Sequence, residues 1–255
     1  MIVPASVPDD RLASTLGRIS PLTKLGIAVA WLVGLAATTQ PLPPVAIAIV
    51  ALVAGIAMGR ISATALLRAI APLWVVAVVV MVSNTVFGAA NPDPAATELL
   101  RFGPLRITEQ AVATAVALGL RVVAIASVGA MFALTTDSTR LVDALVQQAH
   151  VPERFAYGAL AAYQAVPQFA ENLTTLRQAR RIRGLRGGWH PRLILSLLVL
   201  AIRHGDRMAL AMDARAFGSS QRSRYRTVRW TALDLVIAIG AAVVLVGALA
   251  LANPG

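Results

Sequence analysis

Residues 69–89 read Ala69-Ile70-Ala71-Pro72-Leu73-Trp74-Val75-Val76-Ala77-Val78-Val79-Val80-Met81-Val82-Ser83-Asn84-Thr85-Val86-Phe87-Gly88-Ala89, a run with no charged side chain. A helix rises about 1.5 Å per residue, so a run of this length matches the ~30 Å hydrocarbon core of a bilayer. Four more apolar runs flank it, at 25–39, 43–58, 110–134 and 232–252. Composition agrees with them. The chain has 255 residues, a mean hydropathy of +0.71, 57% hydrophobic residues and 14% charged ones, whereas soluble chains run near a quarter charged. The expected fold is an all-α integral membrane protein with about five transmembrane helices.

Cysteine is absent, which excludes disulfide frameworks, thiolate metal sites and cysteine nucleophiles together. The net charge of +11 and a pI near 11.6 would suggest nucleic acid in a soluble chain. The placement of the charge argues otherwise. Fifteen of the 23 basic residues lie within 136–230 beside six acids, and aromatics to interleave with them are scarce. Such a block next to membrane spans is what the positive-inside rule assigns to cytoplasmic segments, and no nucleic-acid partner is expected.

Residues 1–20 carry Asp9, Asp10, Arg11 and Arg18 and lack the features of a secretory signal, so they are expected to form a retained cytoplasmic tail. Gln40-Pro41-Leu42-Pro43 joins the first two runs, too short a link for anything but a turn between antiparallel neighbours. Arg60 and Arg68 lie between the second and third runs, whereas 90–106 is neutral and 252–255 bears no charged side chain. All arginine-dense segments fall on one side if the N-terminus is inside and the C-terminus outside the cell membrane. The expected organisation is therefore a tail with four spans over 1–135, cytoplasmic helices over 136–230, and a last span over 231–255.

The basic block predicts three helices. Over 137–146, Leu141/Leu145 and Val142/Val146 recur four apart while Arg140, Asp143 and Gln147 fall off that stripe, giving a short amphipathic helix that ends at His150-Val151-Pro152. A second helix runs from 153 to about 183, with Pro167 inside and Gly184, Gly187 and Gly188 after it. A third opens at His190-Pro191, with proline at a first helical position, and runs toward Phe217. Both longer helices are apolar first and basic at their C-terminal ends. That pattern suits docking of a partner at the tips, and the same composition permits two amphipathic helices lying on anionic lipid.

Two helix ends resemble each other, Ala179-Arg180-Arg181-Ile182-Arg183-Gly184 and Ala211-Met212-Asp213-Ala214-Arg215-Ala216-Phe217-Gly218. Small residues beside an arginine let a partner backbone approach while the guanidinium pairs with a carboxylate. Arginines near a helix C-terminus also interact with the macrodipole, which accounts for Arg180 and Arg181.

Together with Leu134-Thr135-Thr136, Leu141-Val142-Asp143-Ala144-Leu145, Val151-Pro152 and Pro167 in that order, these ends resemble the transmembrane coupling (T) subunit of energy-coupling-factor transporters, the family of biotin and cobalt or nickel permease subunits. The resemblance implies a scaffold in an ATP-driven importer of a vitamin or transition-metal ion. Its partners would be two ATP-binding cassette ATPases and a small membrane subunit that captures substrate. It also implies that 136–230 holds coupling helices whose terminal arginines dock the ATPases. Carried over, Ile182, Arg183 and Gly184 match one docking motif and Ala214, Arg215 and Ala216 the other. Ile182 stands where the family has Ala, and Ala216 where it has Gly.

The residues also speak against catalysis in this chain. Lys24 is the single lysine and no G-x-x-x-x-G-K-[ST] occurs, so there is no Walker A phosphate loop. His150, His190 and His204 lack ligand spacing and read as turn or packing residues, so no metal or cofactor is expected. The alternative is a membrane enzyme of prenyl or lipid pyrophosphate metabolism, with Asp206 and Asp213 as its acidic pair. Arg121 lies near the middle of the fourth run, where a charge is costly. It either snorkels or faces the protein interior, or it contacts the substrate-capturing subunit, and Asn84 poses the same question more mildly.

Overall fold

The computed structural model describes residues 14–38, 40–88, 91, 97–102, 105–185, 190–218 and 226–252. The tail before Ser14, Gly187 and Gly188 expected after the second cytoplasmic helix, and the C-terminal tail after Ala252 lie outside the described residues. In chain order the elements are α1 (Thr15–Arg18), α2 (Pro21–Ala36), α3 (Leu42–Ala57), α4 (Ala63–Phe87), β1 (Glu98–Phe102), β2 (Leu105–Thr108), α5 (Glu109–Thr135), α6 (Ser138–Gln148), α7 (Glu153–Ile182), α8 (Pro191–Ala214) and α9 (Ala232–Ala252). Three of them, α4, α5 and α9, are long and apolar enough to cross a membrane, and α2 and α3 are shorter apolar helices. The chain is an all-α membrane protein whose five apolar helices fall on the five apolar runs.

The chain divides into two compact units, one holding Ser138–Val228 and the other the remaining described residues on either side of it. In the second unit, the membrane unit, Trp31 and Leu35 of α2, Ile47 and Ala51 of α3, Val128 and Met131 of α5, and Ala248 of α9 form one buried cluster. Leu66 and Ile70 of α4 meet Ala126 of α5 in another. At Gly119 the two longest of these helices approach so closely that a Cβ would strike Met81. The outward positions of α4 and α9 are valines and leucines, with Val75 66% and Leu235 64% exposed, as expected of side chains that face lipid rather than water.

Helix starts follow their caps. Ser20 precedes Pro21 at the first helical position, and its Oγ accepts from Leu22 N–H at 3.3 Å, so α2 begins four residues before the apolar run at 25. Residues 14–20, expected as part of a polar tail, are instead built into the unit. Leu16 and Ile19 are buried, Leu16 N–H donates to Met58 O at 3.1 Å, and Ser14 Oγ accepts from Gly17 N–H at 3.0 Å.

One turn of α2 fastens two distant parts of the membrane unit. Buried Asp234 accepts from Ser20 N–H at 2.7 Å and from Thr23 Oγ1 at 3.2 Å through Oδ1. Its Oδ2 accepts from Thr231 N–H and Oγ1, both at 2.7 Å. Lys24 Nζ donates to Thr135 O at 2.8 Å, at the C-terminus of α5, where a cation meets the negative end of the helix dipole.

The neutral segment between α4 and α5 contains the antiparallel hairpin β1–β2, with Arg101 opposite Arg106 and Phe102 opposite Leu105. Buried Asn91 holds it. Asn91 Nδ2 donates to Thr85 O and Val86 O at 2.9 and 3.1 Å, and its Oδ1 accepts from Thr108 N–H at 3.1 Å. Thr108 in turn caps α5.

The unit holding α6, α7 and α8 has a thin core that includes Ala144, Val146, Ala156, Leu160, Ala165 and Leu193. Asp143, expected away from the buried stripe, is itself buried because Tyr157 Oη donates to its Oδ1 at 2.8 Å. Gln147 is similarly engaged: its Nε2 donates to Arg226 O and its Oε1 accepts from Val228 N–H, both at 2.9 Å. Helix α7 runs through Pro167, whose missing N–H leaves Tyr163 O without its intrahelical donor.

Candidate functional site: the two arginine-capped helix ends

Helices α7 and α8 end in the same way. After Ile182, Arg183 occupies the C-cap and Gly184 follows with φ +72°. Gly184 N–H donates to Arg181 O at 3.0 Å and Leu185 N–H to Arg180 O at 3.2 Å. After Ala214, Arg215 occupies the C-cap and Ala216 follows with φ +54°. Ala216 N–H donates to Asp213 O at 2.9 Å and Phe217 N–H to Met212 O at 3.0 Å. Both pairs of bonds are the six-to-one and five-to-two closure of a Schellman cap, which needs a left-handed residue just past the helix. Glycine fills that place without strain at 184, and alanine fills it at 216 at a cost of about 1 kcal/mol.

The closure fixes what the ends present. Ile182, Arg183 and Gly184 are exposed, and so are Ala214, Arg215 and Ala216, with Ile182 at 87%. Neither arginine has an ion-pair partner among the described residues. Each guanidinium belongs to an exposed C-cap residue and is open to an incoming carboxylate. Arg180 differs, being half-buried with its Nε shut off from solvent.

The surroundings of the two ends are not equal. Arg215 lines a groove of about 400 Å³ whose floor includes Ala161, Ala165, Met208, Ala211 and Met212, and Arg183 is not among the residues lining it. His204, also on that groove, packs edge-on against Phe169 with ring centroids 5.7 Å apart. Gly218, φ +86°, lies against Arg154, which a Cβ there would strike.

The other candidates fall into place individually. His150 is a turn residue with φ +55°, and His190 is the N-cap of α8, its Nδ1 accepting from Arg192 N–H at 3.1 Å. Among the described residues no three His, Asp or Glu side chains gather as a metal site, and Asp206 and Asp213 have no third such ligand beside them there. Asn84 Nδ2 donates to Val80 O at 2.9 Å within its own helix, which satisfies an amide inside a span without a partner. Arg121 is half-buried and makes no hydrogen bond or ion pair with any described residue. The shared cap was not legible in the sequence because its second copy carries Ala216 where glycine would have signalled it.

Comparison with known proteins follows the same geography. The model of the CbiQ family, described as cobalt transport protein, matches residues 13–225. The chain is similar to proteins named energy-coupling factor transporter transmembrane protein EcfT. It is 26% identical to that of Acidaminococcus fermentans over 228 residues, 83% of this chain and 82% of the relative. It is 24% identical to that of Thermosediminibacter oceani over 257 residues, 92% of this chain and 93% of the relative. A Bifidobacterium longum protein named putative ABC transporter ATP-binding protein is 26% identical over 255 residues, 93% of this chain, which spans only 32% of that longer relative.

Proposed function

The chain belongs to the cobalt transport protein (CbiQ) family, and from that premise we propose that it is the transmembrane coupling subunit of an energy-coupling-factor importer for a vitamin or transition-metal ion. Two ATP-binding cassette ATPases dock at the ends of α7 and α8, one at Arg183 and one at Arg215. A separate small membrane subunit captures the substrate. Closure of the ATPases moves the two helices, and this chain passes the motion on. It contains no phosphate loop of its own, so ATP is hydrolysed in the partners.

The observation that carries this reading is the repeated cap: two helices of different sequence close in the same Schellman geometry and leave an exposed, unpaired arginine at the same position. A structural macrodipole role needs no such repetition. The ATP-binding name of the longer relative supports an ATP-binding partner, and the EcfT names support a place in an energy-coupling-factor transporter. In this reading the protein sits in the cell membrane with its N-terminus and 136–230 in the cytoplasm and its C-terminus outside, the arrangement that gathers the dense arginines inside.

The test is capture of the chain through an affinity tag after expression with the ATPase and membrane-protein genes adjoining its own. Recovery of both kinds of subunit with the chain is expected. Recovery of the chain alone from a membrane fraction in which those subunits are expressed contradicts the proposal.

A further inference from the structure

Arg121 stands 12 residues after Glu109 and 14 before Thr135, the two ends of α5, so roughly 18–21 Å of helix separate it from either end. Around it, Thr114, Leu118, Arg121, Ile125 and Gly129 follow one another at spacings of four, three, four and four, which places them on one face of the helix. That face is unfilled in this chain. Thr114 and Gly129 are exposed, Ile125 is 43% exposed, and a Cβ at Gly129 would meet nothing within 4 Å. Ala117 and Ala124, on the side turned toward the core, are buried. Arg121 therefore emerges at the edge of the packed helices, on a strip shaped like the seam a second helix uses.

Its chemistry narrows the occupant. The guanidinium has no hydrogen-bond or ion-pair partner among the described residues, and its Nε is closed off from solvent. No described acid of this unit lies at its depth. Glu98 pairs with Arg106, Glu109 and Asp137 flank the two ends of α5, and Asp234 has both oxygens engaged beside Ser20. A second copy of the chain would bring the same described acids at the same levels and none opposite Arg121. Lipid phosphates lie near the surface, about 15 Å from the bilayer midplane. A cation held centrally in hydrocarbon is costly unless it is paired, and a carboxylate neutralises it through a bidentate bond.

We propose that Arg121 receives a carboxylate from a membrane-spanning helix of the substrate-capturing subunit, laid along the Thr114–Gly129 face. The inference rests on the coupling-subunit reading and adds to it the partner's chemistry and the contact's register, since one polar residue on an otherwise apolar seam fixes how two helices align.

The test is Arg121→Met, placed in the full chain alone in detergent and in the transporter captured through a tag on this chain. Removing an unpaired cation raises the thermal midpoint of the isolated chain by roughly 2–5 °C. In the transporter, the same exchange leaves the ATPases bound and lowers recovery of the membrane partner by roughly tenfold, while Arg121→Lys retains that partner. A lowered midpoint of the isolated variant, or wild-type recovery of the membrane partner, overturns the proposal and leaves the coupling-subunit reading intact. If vesicles of phosphatidylglycerol, but not of phosphatidylcholine, raise the wild-type midpoint and leave that of Arg121→Met unmoved, a lipid headgroup is the occupant and the proposal is wrong. If no membrane partner accompanies the wild-type chain, the coupling-subunit reading and this inference fall together.

Discussion

Lys24 Nζ donates a 2.8 Å hydrogen bond to the main-chain oxygen of Thr135, 111 positions away, and both residues are buried, at 4% and 1% exposure. The chain leaves the membrane unit two residues later, after Asp137, and re-enters it at Arg229. The re-entry point is held by the same turn of α2, where Ser20 N–H and Thr23 Oγ1 donate to Asp234. The turn spanning Ser20 to Lys24 therefore fastens both passages of the chain between its two units. A buried charge is retained at such a place only when its bonds are complete, and Asp234 accepts four.

Breaking that set is predicted to be severe. Asp234→Ala strands the N–H groups of Ser20 and Thr231 and two hydroxyls, a loss of about 2–4 kcal/mol. The thermal midpoint of the detergent-solubilised chain should fall accordingly. An unchanged midpoint would show that water reaches these donors and that the fastening is not structural.

The second prediction separates strain from function at the end of α8. Ala216 has φ +54°, so Ala216→Gly relieves a left-handed alanine and should stabilise the chain by about 1 kcal/mol. Docking of ATPases should be unchanged, because Arg215 keeps its position. A lowered midpoint would mean that the alanine methyl makes a contact worth more than the strain.

Topology gives a third prediction, and the absence of native cysteine makes it clean. Thr97→Cys, beside the hairpin, and Gln178→Cys, near the end of α7, are both exposed positions. An impermeant maleimide applied to intact cells should label position 97 and spare 178, with both labelled after lysis. Labelling of 178 in intact cells would invert the proposed orientation.

The apolar runs were readable because a span is a matter of length and composition, and α4, α5 and α9 follow from both. The start of α2 was readable in principle, since Ser20-Pro21 is a cap followed by proline, but hydropathy alone begins the run four residues late. The hairpin escaped because its strands are short and Leu99-Leu100 interrupts the alternation, in keeping with the irregular register between Glu98 and Leu100. Asp143 escaped for another reason: its burial depends on a hydroxyl 14 positions away, on Tyr157, which no pattern within α6 can announce. The candidate arginines were visible as residue types beside small neighbours, whereas the cap that orients them is a backbone property and appears only in the fold.

The central claim is that Arg183 and Arg215 anchor the ATPases, and the most direct measurement is the amount of ATPase retained on the tagged chain when both are replaced by alanine. Truncating one member of a desolvated charge pair costs about 2–5 kcal/mol, so each single variant should lose much of its ATPase and the double variant nearly all, with membrane insertion intact. Arg180→Ala with Arg181→Ala is the control. Arg180 is half-buried and both belong to the last turn of α7, so this pair should retain ATPase near the wild-type amount. Wild-type retention by the Arg183→Ala, Arg215→Ala double variant would contradict the account, and the two basic helix ends would then be better read as surfaces for anionic lipid.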